Sequence, residues 1–405
     1  MPNALPDGRP APVPPRLPRA VWVLGLVSFC VDLSSELLYP VLPLFLVSLG
    51  TPLAAIGLAE GIAEVTGGLA KGYFGGLSDR LGKRRAFVTA GYTLSALAKP
   101  LPGLIPAWGT VLLARVTDRV GKGLRTAPRD ALLSAYTTAE MRGRAFGLHR
   151  AMDTAGAALG PLFALVWLAA RPGDYRPLFF IALVPALVGA LLTRLVPERA
   201  PEAQRAASPA NPFAYWRMAP AAYRRRVAWL VFFALGNASD VFLLLRIREG
   251  VGDGGPIPGD TAALGAYVLY NGVYALGAYP AGALADRLGR WPVLVVGFVL
   301  FAVVYAGFAV AGSLTAFAVL MAVYGLYAAL TEGVAKAWIA DVLPDTERGR
   351  GLGLHAAATS LAVLLASVGT GALWGAFGAM VPFGLSAAVA LVAAAGIARV
   401  ERRGA

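Results

Sequence analysis

The chain has 405 residues, of which 57% are hydrophobic and 15% charged, and its 36 Lys and Arg against 23 Asp and Glu give a net charge of +13. Together with a mean hydropathy of +0.64, this excludes a water-soluble globular domain and predicts an all-α protein that crosses a bilayer many times. The positive surplus then belongs to cytoplasmic loops rather than to a nucleic-acid interface. The single cysteine, Cys30, excludes an internal disulfide and a cysteine metal cluster.

Residues 1–19 are Pro-rich and lack an apolar core, so they read as a disordered tail rather than a cleaved signal. About twelve apolar runs follow, each near the roughly 20 residues that a bilayer requires. They lie near 20–47, 52–77, 86–106, 108–136, 144–170 and 176–196, then 227–247, 261–284, 291–311, 313–341, 352–375 and 380–399. The polar stretch 197–226, ending in Arg224-Arg225-Arg226, separates two six-helix bundles, 20–196 and 227–399, and 400–405 is a short tail.

Lys and Arg fix the orientation. One set of loops carries Arg80, Lys83, Arg84 and Arg85, then Arg142 and Arg144, the 199–226 cluster, Arg287 and Arg290, and Arg348 and Arg350. The alternate loops carry almost none beyond Arg171, Arg176 and Arg248. Positive charge stays inside, so both termini and the central loop are expected in the cytoplasm, and the protein in the cell (inner) membrane.

The fourth run breaks the apolar pattern. RVTDRVGKGLRTAPRD places Arg115, Asp118, Arg119, Lys122, Arg125, Arg129 and Asp130 within a hydrophobic segment. At about 100° per residue these seven share an arc of roughly 140° on a helix. Ionisable groups at membrane depth face a bundle interior or a wet cavity, so this face is expected to wall an aqueous pathway.

The two halves repeat. GGLSDRLGKR at 75–84 returns as GALADRLGRW at 282–291, and RGRAFGLH at 142–149 returns as RGRGLGLH at 348–355. The only two histidines, His149 and His355, occupy equivalent places, and Ser35-Glu36 is echoed by Ser239-Asp240. Parallel repeats of this kind place substrate sites between the halves near the midplane.

The stretch Gly75-x-Leu77-x-Asp79-Arg80-x-Gly82-Lys83-Arg84, with its copy at 282–290, resembles the signature loop of the major facilitator superfamily. The resemblance covers the chain from about residue 20. It implies twelve transmembrane helices in two pseudo-symmetric bundles, with Gly75, Asp79, Arg80, Gly82, Lys83, Arg84, Asp286 and Arg287 as a conformational latch. The plainer reading is a basic loop that merely satisfies the orientation rule. Gly147-x8-Gly156-x3-Gly160-Pro161 is similar to the antiporter motif of drug:proton exporters in that superfamily, with Ala164 where the motif ends in Gly. It implies a hinge or packing seam and favours efflux, against ordinary small-residue packing. The charged fourth run and SSELLYPVLPLFL in the first together resemble an uncharacterised prokaryotic subgroup, which implies no particular substrate.

Asp32 and Glu36 lie one turn apart in the first run and are expected to face Arg119 and Lys122. They serve either as proton-exchanging carboxylates or as a static ion pair. Glu60 and Glu64 repeat the spacing in the second run, while Lys71 and Lys99, nearer span ends, are expected to snorkel. Asp153 and Asp240 complete the candidate substrate and proton pathway. His149 is read as structural rather than as a relay, because its place repeats. Glu332 and Lys336 have the order for an i,i+4 pair.

No G-x-x-x-x-G-K-[ST] loop supports an ATP-driven pump, and no nucleophile–base pair or metal cluster supports an enzyme. A channel or a non-transporting sensor or scaffold stays open. The expectation is a monomeric secondary carrier without cofactor or metal, exporting a small anionic or amphiphilic solute by proton coupling, with proton-linked uptake or uniport as the alternative.

Overall fold

The computed structural model describes residues 17–198, 212–344 and 347–404. The side chains of Gly72, Gly75, Gly76, Asp79, Arg80, Ala139, Glu140, Arg142, Gly143, 212–214 and 403–404 lie outside that description, as do most of the expected tail and central linker. Among the described residues every regular element is helical. The first part of the chain forms α1 (Arg19–Leu38), α2 (Val41–Ser48), α3 (Leu53–Leu81), α4 (Arg84–Ala98), α5 (Leu101–Leu104), α6 (Trp108–Ala135), α7 (Ala139–Ala170) and α8 (Arg176–Leu192). The second forms α9 (Pro212–Met218), α10 (Ala221–Ala234), α11 (Val241–Val251), α12 (Gly259–Leu288), α13 (Arg290–Val310), α14 (Leu314–Ala340), α15 (Arg348–Phe377) and α16 (Met380–Gly404).

Proline and glycine set many of these boundaries. Pro18, Pro52, Pro220 and Pro258 precede α1, α3, α10 and α12, where a missing N–H costs nothing. Gly82 and Gly289 end α3 and α12 at positive φ, 62° and 89°, which a Cβ would oppose. Both copies of the loop motif therefore break their helix at a positive-φ glycine, though ψ differs, 13° at Gly82 and 153° at Gly289.

Eight segments among the described residues are long and apolar enough to cross a membrane: Arg19–Ser48, Leu53–Lys71, Arg144–Ala170, Arg176–Leu195, Arg290–Val310, Leu314–Ala340, Arg348–Phe377 and Met380–Arg402. The other four expected runs fall short for identifiable reasons. The third breaks at Lys99-Pro100 between α4 and α5, and the seventh breaks between α10 and α11. In α6 the charges depress hydropathy, and in α12 Gly, Asn271 and four tyrosines do. This is a multi-pass membrane protein.

Helix α1 packs on α7 and α8, α6 on α3 and α4, α12 on α14, and α13 on α14 and α16. Two further seams, α3 with α15 and α7 with α12, join early helices to late ones. Small residues permit the closest approach, because lipid offers no hydrophobic drive to helix pairing. A Cβ at Gly57 would stand 2.2 Å from the Ser367 carbonyl oxygen, and one at Gly371 2.4 Å from that of Leu53. Gly57→Val is therefore expected to destabilise the fold by about 1–3 kcal/mol through overpacking. Thermal denaturation of the purified protein checks this, and an unchanged Tm contradicts it.

The two halves bury different chemistry. Late helices pack aromatic rings: Phe233 stacks on Phe298 with centroids 3.9 Å apart, and Phe301 stacks on Tyr305 at 3.9 Å. Early helices instead bury Lys99, Arg115 and Arg125, each less than 9% exposed.

Candidate solute and proton site

Helix α6 is wedged between α3 and α4 by glycines on either side of its charged face. A Cβ at Gly121 would lie 2.6 Å from the Gly91 carbonyl oxygen of α4, and one at Gly123 2.3 Å from Ala70 Cβ of α3. With both flanks in backbone contact, the face between them points towards α1. There it meets a cavity with about 60 Å³ open to water, room for about four molecules at roughly 15 Å³ each.

Asp32, Ser35 and Glu36 of α1 line this cavity with Lys99 and with Arg115, Asp118, Arg119, Lys122 and Arg125 of α6. Leu38, Tyr39, Leu42, Pro102 and Phe179 supply its apolar wall. The expected juxtaposition of Asp32 and Glu36 with Arg119 and Lys122 is present. The expected stripe of seven is shorter: Arg129 and Asp130 lie beyond the cavity. Arg129 Nε donates to its neighbour Asp130 at 3.0 Å, and its Nη1 reaches Ser28 Oγ at 3.5 Å. Past Pro128 the helix meets the N-terminal half of α1, at Ser28, rather than open space.

Most cations here are already satisfied. Arg115 forms a fork with Glu60 of α3, Nε to Oε1 at 3.0 Å and Nη2 to Oε2 at 2.5 Å, with both side chains about one-tenth exposed. Lys99 Nζ donates to Ser35 Oγ at 2.9 Å, and Arg125 Nη1 donates to Ser95 Oγ at 2.6 Å while its guanidinium covers the Tyr92 ring at 4.7 Å. Arg119 and Lys122 differ. Neither has a hydrogen-bond or ion-pair partner among the described residues, and Arg119 Nε is buried without an acceptor. Two cations without a close partner beside an apolar wall give this side of the cavity the charge and shape that suit a small organic anion.

Other expected pathway residues fall elsewhere. Glu60 is locked to Arg115, and Glu64 is exposed on α3, outside the cavity. Asp153 of α7 accepts from Ser28 Oγ at 2.8 Å and from Arg150 at 3.1 Å. Asp240 sits at the start of α11 and accepts from Tyr324 at 2.6 Å within an aromatic cluster. Glu332 accepts from Tyr274 at 2.7 Å instead of pairing with Lys336. The cavity is lined by residues 32–179 alone, not by both halves; the late helices reach it through Tyr267, which donates to Glu36 at 3.0 Å and packs on Tyr39. Close packing of α3 on α15, at Gly57 and Gly371, joins the early helices to the late ones.

The sequence reading missed two features. Lys99 does not snorkel; it is 6% exposed and lines the cavity, because Pro100 turns the chain just after it. Tyr267, Tyr270 and Tyr274 on α12, with Tyr324 and Tyr327 on α14, form a stacked belt. The i, i+3, i+7 spacing on α12 was the available signal.

The latch residues divide as well. The side chains of Gly75, Asp79 and Arg80 lie outside the described residues. Gly82 provides the left-handed turn and Lys83 precedes α4, where Arg85 N–H donates to Glu198 at 3.0 Å. In the second copy Asp286 and Arg287 are exposed and make no side-chain hydrogen bond or ion pair among the described residues, and Arg290 does the anchoring through Ala337 O and Asp341. Of the glycine motif, Gly156 and Gly160 pack on α1, with would-be Cβ atoms 2.3 Å from Phe29 O and 2.6 Å from Leu33 O. Pro161 lies inside α7, but Gly147 faces open space and packs on nothing. His149 and His355 are largely buried and each has one ring nitrogen without a partner.

At the far end of the helices, early and late segments are tied together. Tyr175 donates to Asp260, which also accepts from Arg248 Nε at 2.6 Å. The other two arginines of these loops have local partners: Arg176 Nε donates to Gly103 O at 3.0 Å, and Arg171 covers the Trp167 ring at 4.3 Å.

Comparison with known proteins agrees with this architecture. The sequence profile of the Major Facilitator Superfamily matches residues 24–247 and 257–404. An uncharacterised MFS-type transporter of Methanocaldococcus jannaschii is 33% identical over 362 residues, covering 88% of this chain and 89% of that protein. The multidrug resistance protein MdtG of Citrobacter koseri is 30% identical over 190 residues, 45% of this chain and 46% of that one. The crystal structure of a bacterial homologue of the human lysosomal transporter Spinster, inward-facing and occupied, superposes with a TM-score of 0.76 at 15% identity, covering 94% of this chain and 96% of that one.

Proposed function

Because the chain belongs to the major facilitator superfamily, whose members are carriers and not enzymes, we propose that it is a proton-coupled secondary transporter of a small organic anion. In this reading twelve spans form two six-helix bundles, 20–196 and 227–399, which alternate access to the α1–α6 cavity. The protein sits as a monomer in the cell membrane with its termini and the 197–226 linker in the cytoplasm. The observation that carries the reading is the pair of unpartnered cations, Arg119 and Lys122, beside the apolar wall formed by Leu38, Tyr39 and Phe179. Gly82, Lys83 and Arg84, with Asp79 and Arg80, serve as the cytoplasmic latch, and Arg290 takes that part in the second copy.

Export is supported by the glycine seam of α7 and by the relationship to MdtG, a multidrug resistance protein. One observation favours a second reading, proton-linked uptake: Asp32 shares the cavity with Lys122. A proton on Asp32 leaves Lys122 free for an anion, so the two bind together.

Thermal stabilisation tests the solute class, since a ligand of the native state raises apparent stability by mass action. Benzenesulfonate, permanently anionic and part apolar, is expected to raise the Tm of the purified protein. A rise with tetraphenylphosphonium and none with benzenesulfonate contradicts the anion reading.

The Tyr175–Asp260–Arg248 cluster closes the extracytoplasmic end in this account. Asp260→Ala is expected to increase several-fold the rate at which an impermeant maleimide labels Leu42→Cys from outside, in a Cys30→Ser background. An unchanged rate contradicts a closing role.

A further inference from the structure

We propose that the outer face of α4 carries a site for one anionic phospholipid, with Lys83, Arg85 and Arg194 on its phosphate and an acyl chain along the helix. The inference goes beyond the carrier reading and does not depend on it, because it needs only the multi-pass membrane fold.

The sequence of α4 lays out the face. Ala86, Ala90, Thr93 and Leu97 recur at helical spacing, and at about 100° per residue they share an arc of roughly 60°. Three of the four are Ala or Thr, so the face is a furrow rather than a ridge. It forms an open groove of about 900 Å³, with Arg194 and Glu198, which follow α8, as the other wall. That is room for a lipid tail and not only for an ion. A hydroxyl hydrogen bond of 2.8 Å between Thr89 and Thr193 pins the two walls, and Thr193 is fully buried. The opposite face of α4 is committed to α6 through Gly91. The groove side is left for the bilayer: Ala86, Ala90 and Leu97 are all exposed.

Charge is confined to one end of the groove. Lys83, Arg85 and Arg194 are exposed there, and their side chains make no hydrogen bond or ion pair among the described residues. Glu198 lies with them, but its carboxylate accepts from Arg85 N–H, at 3.0 and 3.3 Å. It thereby satisfies the start of α4 and leaves the three cations for an anion from outside. A zwitterionic head group would bring an ammonium to this rim, so the charge selects an anionic lipid. Depth agrees with that occupant. From Ala86 to Leu97 the helix rises about 16 Å, close to the roughly 15 Å of hydrocarbon in one leaflet. The basic rim therefore sits at head-group level while the small apolar face lies at tail level.

Native mass spectrometry of the purified full chain tests the site, with phosphatidylglycerol, phosphatidylcholine and glycerol 3-phosphate as probes. Phosphatidylglycerol is expected to bind about tenfold more tightly than phosphatidylcholine, and glycerol 3-phosphate is not expected to be retained. Arg85→Gln/Arg194→Gln is expected to weaken the tightest phosphatidylglycerol step roughly 10- to 30-fold. Ala90→Phe keeps every charge but fills the furrow, and is expected to weaken the same step. Arg402→Gln, at the exposed basic end of α16, is expected to leave it unchanged. Equal affinity for the two lipids, or phosphatidylglycerol binding untouched by the double variant, overturns the proposal. Retention of glycerol 3-phosphate with no effect of Ala90→Phe shows an anion site without a tail, and overturns it as well. All of these outcomes are read without flux, so failure of gradient-driven transport would overturn the carrier reading and leave the lipid site standing.

Discussion

Lys122→Ala is expected to weaken benzenesulfonate binding by roughly 10- to 100-fold, the loss of one charge-assisted hydrogen bond of about 1.5–3 kcal/mol. Arg119→Ala is expected to act comparably, because the two share the same open side of the cavity without other partners. Neither change removes an ion pair from the fold, so the Tm without ligand should move little. That separation is the informative part. Lys99 or Arg125 replaced in the same way would also strip hydrogen bonds from Ser35 or Ser95, mixing stability with binding. Calorimetric titration of the purified variants measures the effect. Affinity within twofold of wild type in both would remove these cations from the solute site.

Glu60→Ala is expected to show the opposite signature, a large loss of stability. It leaves Arg115 about one-tenth exposed without its forked carboxylate, and removal of one partner of a buried pair costs about 3–5 kcal/mol. Removing both partners in Glu60→Ala/Arg115→Ala takes away the stranded charge and is expected to recover most of that loss. Reversible denaturation in mixed micelles, read as a double-mutant cycle, checks the sign and size of the coupling. A single Glu60→Ala variant as stable as the wild type would show that the pair does not hold α3 to α6. It would return Glu60 to the candidate proton carriers.

These outcomes separate residues that the sequence alone treats alike. Arg115 and Lys122 lie two turns apart on one face, and periodicity assigns both to the wet side of the helix. What distinguishes them is the helix each one faces, and that depends on Gly121 and Gly123 seating α6 between α4 and α3. Pairing across helices is not written in spacing. For the same reason Glu60 and Glu64, one turn apart, have different fates: one closes a fork with Arg115 and the other stands exposed.

The membrane class, the repeated loop and the charged helix were legible because each leaves a local mark: hydropathy, a recurring motif, a stripe of ionisable groups. Gly82 and Gly289 both ending a helix at positive φ is that repeat expressed in backbone geometry. The placement of the cavity inside the first half was not legible. It depends on which helices the charged face of α6 meets, set by Gly121 and Gly123 seating α6 against α4 and α3. Lys99 was misplaced because its position near the end of an apolar run implied snorkelling, whereas Lys99-Pro100 breaks that run inside the bundle. Arg290 was read as a loop charge and left out of the latch, because the family motif drew attention to Asp286 and Arg287, four and three residues earlier.

The central claim is that proton movement and anion movement share the α1–α6 cavity. Flux of labelled benzenesulfonate through proteoliposomes under an imposed pH gradient tests it most directly. The account predicts saturable flux that the gradient drives and that Arg119→Ala and Lys122→Ala abolish. Flux at the protein-free rate, or protein-dependent flux of the same size with and without the gradient, would contradict it.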